Sequence, residues 1–197
     1  MRFQKLKLLK ISKPGKYAMD YQTVLDFWFT EIDQQKWWVK DESFDELIRQ
    51  RFAIVHQAAV RCELSSWRSS AGGRLAEIIL LDQFSRNMFR DTALAFAQDG
   101  LALILAQEAI LQGADQELSL PQKVFLYLPF MHSESLVIHE QAVKLFNQPG
   151  MEYNLDFEFR HKTIIEQFGR YPHRNAILGR QSTPEELEFL KQPGSAF

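Results

Sequence analysis

The chain has 197 residues, 46% of them hydrophobic and 13% aromatic, with 16 Phe and 4 Trp, which is enough for one sizeable core. A formal charge of −2 gives no reason to look for nucleic acid or an acidic membrane surface. The single cysteine, Cys62, excludes an intramolecular disulfide and a cysteine zinc cluster, and it fits a reduced, cytoplasmic setting.

Charge is unevenly placed. Residues 1–18 hold six basic side chains (Arg2, Lys5, Lys7, Lys10, Lys13, Lys16) and no acid. The remainder, residues 19–197, carries 17 basic against 25 acidic residues, a net −8, which makes it a poor nucleic-acid binder. The basic leader has no continuous apolar stretch of the secretory kind. Three readings of it stand: a flexible tail, a segment that packs locally, or sequence ahead of a start at Met19. The break signal Lys13-Pro14-Gly15-Lys16 favours a place outside the core. Residues 19–197 read as a single helical domain.

The apolar period after the leader is helical. Phe44, Ile48, Phe52, Val55, Ala59 and Cys62 recur at three or four residues, so they share one face. Ser43-Phe44-Asp45-Glu46 reads as a capping box at the start of that helix. Residues 75–84 are apolar on every side, as a buried central helix should be. Residues 93–112 are rich in Ala and Leu, and Gly113 is a natural stop. Pro121 can open the next helix and Pro129 interrupts it. Ser133 is placed to cap a segment running to about Phe146. Residues 154–168 form another helix with Gly169 after it. Thr183-Pro184-Glu185-Glu186 opens a short last one. No run alternates as a strand should, and no stretch reaches the roughly 18 apolar residues of a membrane span. The expected fold is all-α, about seven helices joined by short turns in antiparallel pairs.

Three turns gather the chemistry. Asp82 follows Ile78-Ile79-Leu80-Leu81, and a buried carboxylate is costly unless paired. Arg86, four residues on, can pair with it, with Asn87 beside it. This is either a structural ion pair or the charged floor of a site. His132 and Glu134 sit at a helix start, where free N–H groups favour anions; they are turn and cap residues or an acid–base pair. Arg170, Arg174, Asn175 and Arg180 form a dense donor set suited to carboxylate or phosphate, or else they pair with acids of the body. His161 shares a stripe with Phe157, Ile164 and Phe168, which favours a satisfied core histidine. Its Glu158-x-x-His161 spelling matches one half of a di-iron site, but a second copy is missing, so no metal and no cofactor is expected. Phe27-Trp28-Phe29 with Trp37-Trp38 is an aromatic patch, weighed here as packing between the first helices.

The strings VLDFWF, WWVKDESFD, LLDQFSRNMFR, FLYLPFMHSE, FGRYPHRNAILGR and STPEELEFL resemble the bacterial domain-of-unknown-function family 924. The likeness runs from about Val24 to Phe197. It implies an all-helical fold of tetratricopeptide-like architecture and brings no catalytic residue list. Asp82, Arg86, Asn87, His132, Glu134, Arg170, Arg174, Asn175 and Arg180 fall inside these strings.

Two functions are expected from these residues. The first is a binding module whose Arg/His/acid groove takes an anionic small molecule or an acidic peptide, with Arg170, Arg174 and Arg180 holding the anion. The second is an enzyme, a hydrolase or transferase acting on an anionic substrate. In it His132 or His161 would be the acid–base group and Glu134 its orienting partner. Nucleic acid and membrane are not expected partners, and the oligomeric state is not written in the sequence.

Overall fold

Asp41, not Ser43, opens the first long helix: its carboxylate accepts from the N–H groups of Ser43 and Phe44 at 2.9 and 3.1 Å. The capping box was placed two residues late because a Ser-x-x-Glu spelling also fits helical residues just inside a start. In the structure, a computed structural model that describes residues 19–195, every regular element is helical. The basic leader, and the expectation about it, lie outside the described residues.

Helix α1 (Tyr21–Asp26) runs directly into a π turn, Phe27–Glu31. A 3₁₀ turn follows, and then α2 (Glu42–Val60). Helix α3 (Ala71–Ile79) passes through a second π turn, Leu80–Phe84, into α4 (Ser85–Met88). Then come α5 (Asp99–Leu111), α6 (Ala114–Glu117), α7 (Leu120–Met131), α8 (Leu136–Phe146), α9 (Glu152–Phe168) and α10 (Pro184–Phe189). The all-α class is as expected. The count of about seven is approximate, because α1, α4, α6 and α10 are only one or two turns long.

Local chemistry explains where the ends fall. Gly113 and Gly169 take left-handed φ values of 74° and 66°, which lets the chain leave α5 and α9. Thr183 and Glu186 cap each other reciprocally at α10. Pro129 does not interrupt α7: the helix runs on for two residues to Met131, and His132 caps it. Near a helix end the bond that proline deletes costs less than one in the interior. Ser135 rather than Ser133 precedes α8.

The run 93–112 is not one helix. A 3₁₀ turn, Ala93–Ala95, precedes α5, which begins only at Asp99. Contrary to the expectation, the stretch Ala93–Leu111 is apolar and long enough to cross a membrane by length and composition, at mean hydropathy 1.4. Here one of its faces, Ala102, Ala106 and Ala109, is fully buried and packs with α3 and α7.

The core forms around α3. Leu75, Ala76, Ile78, Ile79, Leu80, Leu81 and Phe84 have no exposed surface. Each large apolar side chain so buried contributes about 1.5–3 kcal/mol. Helices α1, α5, α6 and α7 surround α3, α2 covers the π turn and α4, and α8 and α9 stack outward from α7. The aromatic patch is largely core: Phe27 and Trp28 are 1% exposed, and Trp28 packs against Phe84 and Phe125. Trp38 closes its edge, half in solvent and stacked on Phe125 at 5.9 Å.

Candidate functional site

The site is built upward from Asp82, in the middle of the second π turn and fully buried. Burial pushes its carboxyl up, but Arg86 and His132 outweigh that and hold it below the usual carboxylate range. Arg86 Nη1 lies 2.9 Å from Oδ1, and His132 Nδ1 lies 2.7 Å from the same oxygen. Gln83 Nε2 donates to Oδ2 at 2.6 Å. An ionised, satisfied carboxylate is thus held at the bottom of the molecule's polar interior.

Arg86 also carries the next layer. Its two terminal nitrogens grip Asp99, at the start of α5, at 2.9 and 3.0 Å. Asp99 Oδ2 accepts in addition from Arg174 Nη1 at 3.2 Å. The Arg174 guanidinium lies between two aromatic rings, 4.6 Å from the Phe96 centroid and 4.5 Å from that of Tyr171. Burial and the nearby Arg86 depress its pKa. That Nη1 contact is its one hydrogen bond among the described residues, and its buried Nε has no partner.

Arg174 borders a cleft of about 300 Å³, walled by Phe96, Asp99, Gly100, Pro129, His132 and Glu134 among others. His132 closes α7 and enters the same cleft. Burial and Arg86 push its imidazole pKa down against the pull of Asp82. With Asp82 ionised, Nδ1–H donates to it and the neutral ring keeps Nε2 unprotonated. Nε2 has no hydrogen-bond partner among the described residues.

A second cluster is closed. Arg180 donates to both Glu134 oxygens at 2.5 and 2.8 Å, and Tyr171 N–H donates to Oε1 at 2.8 Å. Arg180 Nε also donates to Asn175 Oδ1 at 3.0 Å. Arg170 grips Glu186 at 2.6 and 2.8 Å, and Asn175 Nδ2 reaches the same carboxylate at 3.1 Å. Three expectations are corrected here. Arg170 and Arg180 do not hold an anion on the cleft, because acids of the chain already occupy their forks. Asn175 has both ends of its amide engaged inside the cluster. Glu134 does not orient His132: it is committed to Arg180, and Asp82 orients the ring.

Two further residues lie apart from the cleft. Asn87 donates to Asp45, which Arg90 also grips, on a separate outer face. His161 packs on the Tyr171 ring at 5.8 Å, with Nδ1 donating to Phe157 O at 2.8 Å. That is a satisfied core histidine rather than an acid–base group on the cleft wall.

Sequence reasoning missed Asp99, Phe96 and Tyr171. An acid in the first turn of a helix looks like an ordinary dipole-friendly residue, and only its pairing with Arg86 and Arg174 sets it apart. It also missed a buried pair beneath the cleft. His139 Nδ1 lies 2.7 Å from Glu158 Oε1, and both residues are fully buried. His139 Nε2 reaches Ser133 O at 2.8 Å, which pins the turn that carries His132. Among the described residues no group of three His, Cys, Asp or Glu is arranged to hold a metal ion.

Fold and site together define a class: an all-α domain with a small cleft lined by one arginine and one oriented histidine. The chain belongs to a family of bacterial proteins of unknown function, DUF924, whose model matches residues 24–194. It is similar over most of its length to the solved structure of a protein of unknown function, ATU0120, from Agrobacterium tumefaciens. The two share 44% identity at a TM-score of 0.83, covering 87% of this chain and 96% of that one. No curated protein matches the chain.

Proposed function

We propose that the cleft binds a small organic anion through Arg174, in a cytoplasmic protein. Arg174 carries the reading. A guanidinium has five N–H donors in a planar fork; this one spends a single hydrogen bond on Asp99, lies between the Phe96 and Tyr171 rings, and is only 6% exposed. A buried arginine so lightly paired is costly to keep, and a carboxylate or phosphate fits its fork. The volume, about 300 Å³, is at the lower end of small-molecule sites and favours a compact ligand over an acidic peptide.

Titration calorimetry with succinate, glutarate and inorganic phosphate tests this on the native protein and on Arg174→Met. At least one probe should bind with a Kd under about 1 mM, near 4 kcal/mol, and Arg174→Met should lose it. Equal binding by both proteins, or binding of none of the three probes, overturns the proposal.

A further inference from the structure

We infer that His132, oriented by Asp82, is the general base of a hydrolytic site in this cleft, acting on an ester that bears a free carboxylate. This rests on the anion site just described and adds the reaction to it.

The geometry is that of an oriented imidazole. The Asp82 carboxylate is buried, ionised and 2.7 Å from Nδ1. It fixes both the ring plane and the tautomer, leaving Nε2 as the acceptor. Arg86 fixes Asp82 in turn, and Asp99 fixes Arg86. Behind the ring, the His139–Ser133 contact holds the turn. A core histidine that only filled space would have both nitrogens satisfied, as His139 does. His132 has one nitrogen engaged and lines the cleft that Arg174 lines.

Charge narrows the substrate. Around the cleft Asp82, Asp99 and Glu134 are matched by Arg86, Arg174 and Arg180, and the ring is neutral. A balanced field draws no polyanion from a distance. Recognition rests on the short-range fork of Arg174, which suits one carboxylate. With Arg174 holding that carboxylate, the scissile ester of a compact molecule lies toward His132.

The step balances without a co-reactant. Nε2 takes a proton from water as the water oxygen bonds to the ester carbonyl carbon, and the carbonyl pair moves onto its oxygen. The tetrahedral intermediate collapses, the carbon–oxygen bond to the alcohol breaks, and the imidazolium returns its proton to the leaving oxygen. The products are an alcohol and a carboxylic acid, and the acid then gives its remaining water-derived proton to solvent to become a carboxylate. His132 is the catalytic residue; Asp82 is a positioning residue.

Mono-p-nitrophenyl succinate and mono-p-nitrophenyl glutarate are the test probes, with neutral p-nitrophenyl acetate as control. The native protein should turn over at least one half-ester faster than the acetate. His132→Gln should lower kcat at least about 100-fold, as loss of a general base does, and leave succinate binding within about threefold by calorimetry. Added imidazole should restore part of the rate in His132→Ala, which a merely structural role would not produce. On the native protein, ¹⁵N shifts at pH 7 should show His132 with Nδ1 protonated and Nε2 bare; this needs no variant to fold. A protonated Nε2, or half-ester turnover no greater than that of His132→Gln, overturns the base while succinate binding keeps the anion site. If the half-esters do not react and succinate, glutarate and phosphate all fail to bind, both readings fall.

Discussion

Arg170 and Arg180 flank Arg174 in sequence, yet the three arginines live in opposite circumstances. The side chains of Arg170 and Arg180 are 28% and 25% exposed and are fully matched, each by a carboxylate that takes two of their nitrogens. The Arg174 side chain is 8% exposed and has one long bond to a carboxylate already held by Arg86. Stability alone would arrange this the other way, because burial raises the cost of every unmatched donor. The closed cluster is a clamp that fixes the loop after α9. The open one leaves a buried donor without a partner beside a cleft, which is the arrangement the proposed anion site requires.

Acid should separate the two regions most strongly, because it acts on several buried groups at once. His161 and His173 pack on Tyr171 behind Arg174, and burial depresses them from 6.5 to about 3 and about 4. Their stabilising contribution is complete above pH 6.5 and is lost as pH falls through that interval toward their folded values. Glu158, whose carboxyl burial raises, works with the opposite sign and softens the loss. Glu186 in the clamp is held down to about 2 by Arg170, so its contribution persists until pH falls below 4.5. Hydrogen exchange between pH 7 and 4 should therefore loosen the Tyr171–Arg174 segment before α10. Simultaneous loosening would erase the distinction.

Substitutions sharpen it further. Asp82→Ala leaves Arg86 with Asp99 alone and deprives His132 Nδ1–H and Gln83 of their acceptor, and should cost about 3 kcal/mol in urea unfolding. Glu134→Ala removes the acceptor for Arg180 and for the Tyr171 N–H and should cost about 2 kcal/mol, with binding weakened only as far as the loop shifts. Arg174→Met should be neutral or should raise stability by about 1 kcal/mol while anion binding disappears; a loss as large as that of Glu134→Ala would make Arg174 a member of the clamp. Gly100 borders the cleft, and a Cβ there would meet nothing within 4 Å. Gly100→Ala should gain about 0.5 kcal/mol, and Gly100→Leu should obstruct ligand entry without unfolding the chain.

Local signals made the helices readable. The reciprocal cap of Thr183 and Glu186, the glycine stops at Gly113 and Gly169, and the all-round apolar run before Asp82 are each decided within a few residues. Errors fell where two local readings compete, as between Asp41 and Ser43. The site was only half readable for a related reason. Asp82 and Arg86 are one helical turn apart, and their pairing follows from helix geometry. Asp82 meets His132 across 50 residues, and Arg174 meets Asp99 across 75. No periodicity links positions so distant, so which arginine would be open and which closed could not be read from their crowding.

The π turn at Leu80–Phe84 has a bearing on how this chain can change over generations. A π turn accommodates one residue more than a regular turn at that place, and its hydrogen bonding is poorer. Deleting a single residue there would restore a regular α-helix and also rotate everything on one side by about 100° relative to the other. Asp82 and Arg86 would then turn away from His132 and Asp99, their present partners. A one-residue deletion there would therefore disturb the buried Leu80, Leu81 and Phe84 and the Asp82–Arg86 pair together, so core and cleft share one turn of backbone.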